Sequence, residues 1–468
     1  MLLRRMWELM GAWSGVFRQQ RTYVRVVAVL VGLVCASGRR TVTKSLAFRG
    51  LTQRDWSADY LAFSRSPWDV RRLFRGVLRA ALGHVRQTGF VAVSLDDTSL
   101  KKTSRIISAA RWLRDALSPP FHVNLKYGLR CLHAAITLPY YGQGYSGRAV
   151  SVGFELAPPV RKPGRKASAE QVTEYRRLTK VHNLSRQSAG LIGRLRSELD
   201  ENGAAERTLL MVVDGGYSNR TVLSRLPERV DLIGRARKDM ALFRPAPPGG
   251  RRVYGERLPT PEQVRQDAGI PYQQVACHYG GQERVVRYKE VAGVLWRTGG
   301  QRRVLRLLIV APTPYKSGKR RKLNYREPAY LITTDVVSSV PDLLQAYLDR
   351  WQIEPLHRDL KTGLGLGQAQ NWADESVARI HSALVAVYSM LILAAIDTFG
   401  PERTAAFPPL PAWRKLKRVR RPSQHDLVTM LRNDCEVARQ QAALPNLALP
   451  PPEPVPWLLH SRETYAYP

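Results

Sequence analysis

The sequence predicts a mixed α/β fold, with a mixed β-sheet that is interrupted by a β-rich insertion and preceded by a helical N-terminal domain. Three observations support this prediction. Apolar residues recur at helical spacing over residues 1–85, and at Phe90 the period changes to the alternation of a strand. The later segments then follow the order of three strands, helix, strand, helix, strand, a strand-rich stretch, and finally a strand and a helix.

Residues 1–85 are predicted to be helical, because apolar side chains such as Trp7 and Met10 recur every three or four positions. Many arginines occupy the intervening positions, so we predict a DNA-binding domain; a structural bundle with a solvated basic face is the alternative that the sequence leaves open. The apolar run from Val24 to Ala36 is similar to a signal peptide, but Arg25 interrupts it and it is too short to cross a bilayer. We expect a buried helix there.

Residues 86–244 are predicted to be the first part of the sheet core. Its segments are strands near 90–95, 121–138 and 149–156, turn residues at Tyr141–Gly144, a helix from about Ser168 to Leu199, and strands at Leu209–Val213 and Val230–Ala236. Acidic residues follow two of these strands, at Asp96-Asp97 and at Asp214. This order of elements, with acids at strand ends, is expected for a ribonuclease-H-like core.

The remaining chain divides into three predicted parts. Residues 245–327 form a β-rich insertion that includes a basic loop, Lys316–Lys322. Residues 328–402 form the second part of the core, in which an apolar segment near 377–399 is expected to be a packed core helix instead of a membrane span. Residues 403–468 form a basic, Pro-rich tail that contains the basic cluster Arg414–Arg421 and the proline-rich end Pro445–Pro456.

The net charge indicates a polyanionic partner. Lys and Arg number 73 against 38 Asp and Glu, which gives a formal charge of +35 over 468 residues. Nucleic acid is the usual partner of such a protein, and an anionic membrane surface is the alternative. The four cysteines stand too far apart in the sequence for zinc-site spacing or a disulfide framework, which fits a reducing cytoplasm.

One stretch carries most of the chemistry. On a continuous helix Tyr347, Arg350, Glu354 and Lys361 fall within an arc of about 60°, and Arg358 joins the same stripe. Tyr347, Arg350 and Lys361 suit phosphate groups, and Trp351 could stack on an unpaired base or pack in the core. The residue after Glu354 is a proline, which removes a backbone donor and predicts a kink.

Three carboxylates occupy similar places in the predicted core: Asp96 or Asp97, Asp214, and Glu354. Acids clustered at neighbouring strand ends repel one another unless divalent cations neutralise them. Oxygen ligands suit Mg²⁺, with Mn²⁺ as a substitute, and two such ions can activate a nucleophile and stabilise the departing oxygen of a phosphodiester. For each acid alone a structural role is the simpler interpretation, since an Asp before Gly-Gly is often a turn residue.

Together these residues resemble the DDE transposases of the bacterial insertion-sequence group with the YREK signature, the insertion-sequence-four type. The resemblance implies that Tyr347, Arg350 and Lys361 hold DNA phosphates and that Asp214, Glu354 and one of Asp96 and Asp97 bind metal. It also implies a homodimer that works on paired transposon ends. Asp96 and Asp97 are consecutive residues of a predicted strand, so their side chains are expected on opposite faces. By the resemblance, an acid followed directly by Thr, as Asp97 is, would be the metal ligand, but both stay candidates.

The predicted function is therefore DNA transposition: metal-dependent cleavage at transposon ends and strand transfer into target DNA. Double-stranded DNA, as terminal inverted repeats and as target, is the expected partner, with two Mg²⁺ ions as cofactors and a cytoplasmic, nucleoid-associated location. Two alternatives stay open. One is a catalytically silent DNA-binding regulator derived from a transposase, and the other is a related metal-dependent nuclease.

Overall fold

The computed structural model describes residues 1–86, 89–115, 118–119, 121–138, 147–316, 322–413 and 421–443. Several predicted features lie wholly or largely outside these residues: the turn Tyr141–Gly144, the basic loop Lys316–Lys322, the basic cluster Arg414–Arg421 and the proline-rich end Pro445–Pro456.

Residues 1–82 contain five α-helices joined by short connections. The helices are α1 (Leu2–Met10), α2 (Gln20–Cys35), α3 (Val42–Phe48), α4 (Ser57–Ser64) and α5 (Arg71–Leu82), with a 3₁₀ turn at Gly11–Val16. The apolar run becomes the buried helix α2, which confirms that expectation. The side chain of Thr41 caps α3 by accepting a hydrogen bond from the backbone N–H of Lys44.

The later helices surround the sheet. They are α6 (Ala169–Val181), α7 (Leu184–Glu201), α8 (Arg220–Leu223), α9 (Pro261–Gln266), α10 (Val340–Asp349), α11 (Ile353–Arg358), α12 (Asp374–Phe399) and α13 (Gln424–Ala443). The single long helix predicted from Ser168 to Leu199 is two helices, because Asn183 caps α7 by accepting from the backbone N–H of Arg186 at 2.9 Å.

Twelve strands form one mixed sheet, so the predicted mixed α/β class is confirmed. The strands are β1 (Phe90–Lys101), β2 (Arg111–Arg114), β3 (Leu125–Leu138), β4 (Arg148–Leu156), β5 (Thr208–Val213), β6 (Val230–Arg235), β7 (Phe243–Pro245), β8 (Tyr254–Arg257), β9 (Gln273–Tyr279), β10 (Gln282–Leu295), β11 (Val304–Val310) and, after a separate hairpin of β12 (Pro314–Lys316) and β13 (Leu323–Tyr325), β14 (Ala329–Thr333).

The strand order places the centre of the sheet at β1, β5 and β6, which run parallel to one another. On one side, β3 pairs antiparallel with β1, and both β2 and β4 pair with β3. On the other side the order continues as β6, β14, β11, β10, β7 and β8, with β9 beside β10. Strands β8 to β11 of the predicted insertion therefore extend the same hydrogen-bonded sheet, whereas β12 and β13 form a separate two-stranded sheet.

Helices cover both faces of the sheet. On one face α10 packs over Phe90, Leu210 and Val212. On the other face Val91, Val93 and the rest of their row join a larger core with α7, the N-terminal helices and α12. Consecutive strand residues point to opposite faces, so the odd and even residues of the first half of β1, Phe90 to Leu95, belong to different cores.

Helix α12 joins the N-terminal helices to the sheet, since it packs against α1, α2, α4, α5 and β4. It is the predicted core helix. Within the described residues it is also the one helix long and apolar enough to cross a membrane, yet 78% of its most apolar window is buried inside the protein. The N-terminal helices thus share their hydrophobic core with α12 and the sheet.

Candidate active site

Asp96 and Asp214 lie side by side at one edge of the central strands. The parallel pairing of β1 with β5 runs as far as Leu95 opposite Val213, so these two acids are the next residue on each strand. Neighbouring strands are about 4.8 Å apart. Alternation places both side chains on the face that α10 covers, and the charge of Asp214 helps to raise the pKa of Asp96.

The pKa of Asp96 is raised to about 6, chiefly by burial and further by the charges of Asp214 and Asp97. A hydrogen bond from the backbone N–H of Asp97 to Oδ1 of Asp96, at 2.8 Å, and the positive charge of Arg350 act in the opposite direction. Two neighbouring carboxylates, one of them partly buried, repel each other, and positive charge at this edge of the sheet would reduce that repulsion.

Asp97 points to the opposite face from Asp96. Its Oδ1 accepts a hydrogen bond from the hydroxyl of Tyr217 at 2.8 Å, and its charge acts on Arg130. Burial, followed by the charge of Asp97, raises the pKa of Tyr217. The sequence pattern favours Asp97 as the metal ligand, but the geometry places Asp96 beside Asp214 and Arg350.

The loop after β5 fixes the direction of Asp214. Its Oδ1 accepts a 2.8 Å hydrogen bond from the backbone N–H of Gly216, and the hydroxyl of Ser218 donates to its backbone carbonyl at 3.3 Å. Asn219 then caps α8 by accepting from the backbone N–H of Val222 at 3.2 Å. Asp214 is thus both a turn residue and a neighbour of Asp96.

The stretch that carries the Tyr-Arg-Glu-Lys pattern is not one continuous α-helix. Helix α10 ends at Asp349, a 3₁₀ turn covers Arg350–Gln352, and a π-helical turn at Asp359–Gly363 follows α11. Pro355 cannot donate to the carbonyl of Trp351, which accounts for the break before α11. A 3₁₀ turn advances roughly 120° per residue, so Glu354 is rotated by about 60° from its place on an ideal helix.

Tyr347 and Arg350 are buried beside the acid pair. The guanidinium carbon of Arg350 lies 5.8 Å from the ring centre of Tyr347 and 5.7 Å from that of Trp351. Burial raises the pKa of Tyr347, against the effect of the positive charges of Arg350 and Arg235. The Nε atom of Arg350 is buried and has no hydrogen-bond partner among the described residues, which leaves one donor for an anionic ligand.

Lys361 is also close to this edge of the sheet. Burial lowers its pKa, and so does the charge of Lys126, while the charges of Cys131 and Asp96 raise it. Three of the four signature residues, Tyr347, Arg350 and Lys361, are therefore near Asp96. Each of them is mostly or partly buried and positioned by its surroundings.

Glu354, Arg358 and Trp351 are exposed. Glu354 lines a cavity of about 240 Å³, together with Trp351, Arg326 and Tyr279. The guanidinium carbon of Arg326 lies 5.0 Å from the ring centre of Tyr279 and 5.6 Å from that of Trp351. The side chain of Trp351 is 40% exposed, so it is free to contact a ligand on one side.

The acid pair fits a hard divalent cation in part. Asp96 and Asp214 provide carboxylate oxygens that such an ion prefers, and its charge would offset their repulsion. Among the residues that the structure describes, however, no group of three or more His, Cys, Asp and Glu side chains is arranged to hold a metal. Metal binding by Asp96, Asp97, Asp214 and Glu354 therefore stays a prediction.

A pair of histidines that sequence patterns do not predict lies behind the site. His133, which pairs with Asp96 across β1 and β3, has its Nδ1 2.8 Å from Nε2 of His357 on α11. Nε2 of His133 is 2.8 Å from the hydroxyl of Ser151. Burial lowers the pKa of His357 to about 4 and that of His133 well below its usual value. The only available signal was that His357 follows Glu354 by three residues.

Comparisons with known proteins place the site in a family context. A family model described as "DDE superfamily endonuclease" matches residues 15–303, which include Asp96, Asp97 and Asp214, whereas Glu354 lies beyond the matched range. No curated protein matches the chain. Among solved structures, the cryo-EM structure of the piggyBac transposase synaptic complex with hairpin DNA is similar over 96% of this chain and 80% of that chain, at 12% identity and a TM-score of 0.34.

Proposed function

The chain belongs to the family of DDE superfamily endonucleases, and on this basis we propose that it is a DNA transposase that cleaves at transposon ends and joins them to target DNA. The observation that carries the proposal is the adjacent pair Asp96 and Asp214, which faces Arg350 and Lys361. The net charge of +35 supports a nucleic acid substrate.

Each residue has a role in this proposal. Asp96 and Asp214 hold divalent cation, Mg²⁺ or Mn²⁺, and two ions are proposed. The bound metal supplies activation of a water or 3′-hydroxyl and stabilisation of the departing oxygen. Arg350 and Lys361 bind the phosphate whose bond is cleaved, and Tyr347 keeps the guanidinium of Arg350 in place.

Glu354 is proposed as the third acid, which joins Asp96 and Asp214 when DNA is bound. The support is its position between a 3₁₀ turn and a π-helical turn, since such irregular helical turns often mark functional hinges. We also propose that the chain is a member of the group with the YREK signature and has a ribonuclease-H-like core. The parallel central strands, with β3 antiparallel beside β1, support that core.

The proposed partners are double-stranded DNA, as terminal inverted repeats and target, and a second copy of the chain in the DNA complex. Residues 1–85 and the tail 403–468 are proposed to contact DNA, and the location is proposed to be the nucleoid within the cytoplasm.

The experiment compares three single variants on labelled DNA that carries the ends of the element. Asp96→Asn and Asp214→Asn should abolish Mg²⁺-dependent cleavage and retain DNA binding. The matched control is Asp97→Asn, which keeps an oxygen to accept from Tyr217 and should stay active. Cleavage without joining would indicate the nuclease alternative. Binding without any cleavage by the unaltered protein would indicate the silent regulator and overturn the proposal.

A further inference from the structure

Helix α6 has no buried residue in its 13 positions. Its apolar side chains Val172, Tyr175 and Leu178 are only partly covered. A capping box fixes its first turn: Ser168 accepts from the backbone N–H of Gln171, and the Gln171 side chain accepts from that of Ser168. Isolated helices of this length are marginal in water, so α6 gains stability from a partner.

The segment around α6 is strongly basic. We call residues 161–186 the basic arm. It carries two glutamates against eight exposed cations: Arg161, Lys162, Arg165, Lys166, Arg176, Arg177, Lys180 and Arg186. Arg177 is paired with Glu174, whereas the side chains of Arg176 and Lys180 form no ion pair or hydrogen bond within the described residues. These two lie four positions apart and share one face of the helix.

The basic arm is attached to the loop that carries Asp214. The side-chain amide of Asn219 donates to the hydroxyl of Ser185 at 3.0 Å and to the backbone carbonyl of Gly216 at 2.8 Å. The backbone N–H of Gly216 in turn donates to Asp214. The C-terminal end of the arm therefore lies at the rim of the candidate active site.

We propose that the basic arm binds the phosphate backbone of duplex DNA at this rim, with the cationic face of α6 against the phosphates. This inference rests on the proposed function. Charge complementarity selects the occupant, since eight cations and two anions attract a polyanion and repel a second copy of the same arm. Contact with DNA would also cover α6, which has no buried residue among the described residues.

The first test is hydrogen exchange of the full-length protein, with and without a duplex of arbitrary sequence, in buffer free of divalent cation. The amides of residues 169–181 should exchange quickly in the free protein and become protected when DNA is added. Protection that is absent with DNA, or that rises with protein concentration when no DNA is present, would overturn the proposal, and the second result would identify a protein partner.

The second test is the salt dependence of binding to the same duplex. The double variant Arg176→Gln/Lys180→Gln should reduce the slope of log affinity against log salt by about 1.8, which corresponds to two lost phosphate contacts. The matched control on the same helix, Glu170→Gln/Glu174→Gln, should bind at least as tightly as the unaltered protein. An unchanged slope in the cation variant, or equal weakening in both variants, would contradict the proposal.

These tests remain separate from the test of catalysis. Binding is measured without divalent cation, so it does not depend on cleavage. A protein that protects α6 on DNA but never cleaves would refute the proposed function alone. A protein that cleaves while α6 stays unprotected would refute only the proposal that the basic arm binds DNA.

Discussion

The hydroxyl of Tyr217, in the loop after β5, donates a 2.8 Å hydrogen bond to Asp97 on β1. This bond joins the loop after Asp214 to the strand that carries Asp96. It holds the Asp97 side chain on the face of the sheet opposite to Asp96. Tyr217 is almost fully buried, whereas Asp97 is exposed to water. The Tyr217–Asp97 hydrogen bond is therefore a structural contact next to the proposed metal-binding edge.

Removal of this hydrogen bond should reduce the stability of the protein only modestly. Tyr217→Phe keeps the ring and deletes the donor, and water can replace it at the exposed Asp97, so we expect a loss of about 1 kcal/mol in the free energy of unfolding. Urea denaturation measures it. Asp97→Asn, which preserves an acceptor, should change stability less. If Tyr217→Phe lost as much stability as the truncation of a core side chain causes, the hydroxyl of Tyr217 would have a further partner.

Arg350→Lys should damage DNA cleavage and leave the fold intact. Lysine retains the charge but lacks the planar group that packs between Tyr347 and Trp351, so the phosphate is held less accurately. We expect the cleavage rate to fall by roughly 10²-fold. Arg302→Lys is the control at an exposed arginine outside this stripe and should cleave normally. Equal rates for both variants would refute the role of Arg350.

The histidine pair should contribute to stability. His133→Ala leaves His357 and Ser151 without their buried hydrogen-bond partner, which should cost about 2 to 3 kcal/mol in the free energy of unfolding. The cleavage rate should fall as well, because α11 loses its attachment to β3. The exposed His122→Ala is the control for both measurements. A His133 variant as stable as this control would show that the pair is dispensable.

Glu198 on α7 should make stability depend on pH. Burial raises its pKa to about 7, against an effect of the charge of Arg194. Because the folded-state pKa exceeds the usual value of 4.5, the folded protein binds this proton more tightly than the unfolded protein does. The resulting contribution to the free energy of unfolding is complete below about pH 4.5 and is lost as the pH rises through 7.

The variant Glu198→Gln cannot ionise. Its melting temperature should exceed that of the unaltered protein by about 2 °C at pH 8, and the difference should disappear near pH 4.5. Thermal denaturation at the two pH values measures this. Glu206→Gln, at an exposed site, should show the same small change at both. A difference that grows toward low pH would contradict the sign of the shift.

Local patterns predicted the parts of this structure that depend on nearby residues. Alternation from Phe90 predicted β1, and the apolar run predicted α2. The acids that follow two predicted strands also predicted that Asp214 would lie beside one of the first pair, although β1 continues past Asp96 and Asp97 to Lys101. These outcomes follow from the period of apolar residues, which is a property of short segments.

Other features depend on which distant segments come together. The choice between Asp96 and Asp97 requires knowing which face of the sheet α10 covers. The 3₁₀ turn before α11 rotates Glu354 away from a helical stripe that sequence spacing alone would keep aligned. His133 and His357 are 224 positions apart, so no local pattern can pair them.

Helix α12 has a consequence for the order of events during synthesis. The N-terminal helices leave the ribosome first, but the helix against which α1, α2, α4 and α5 pack is complete only at Phe399. The apolar surfaces of these helices that contact α12 must wait through almost three hundred intervening residues, about the length of chain between α5 and α12, before α12 can cover them. A nascent chain of this protein is therefore exposed to aggregation until its last third emerges, and it is a natural client for chaperones.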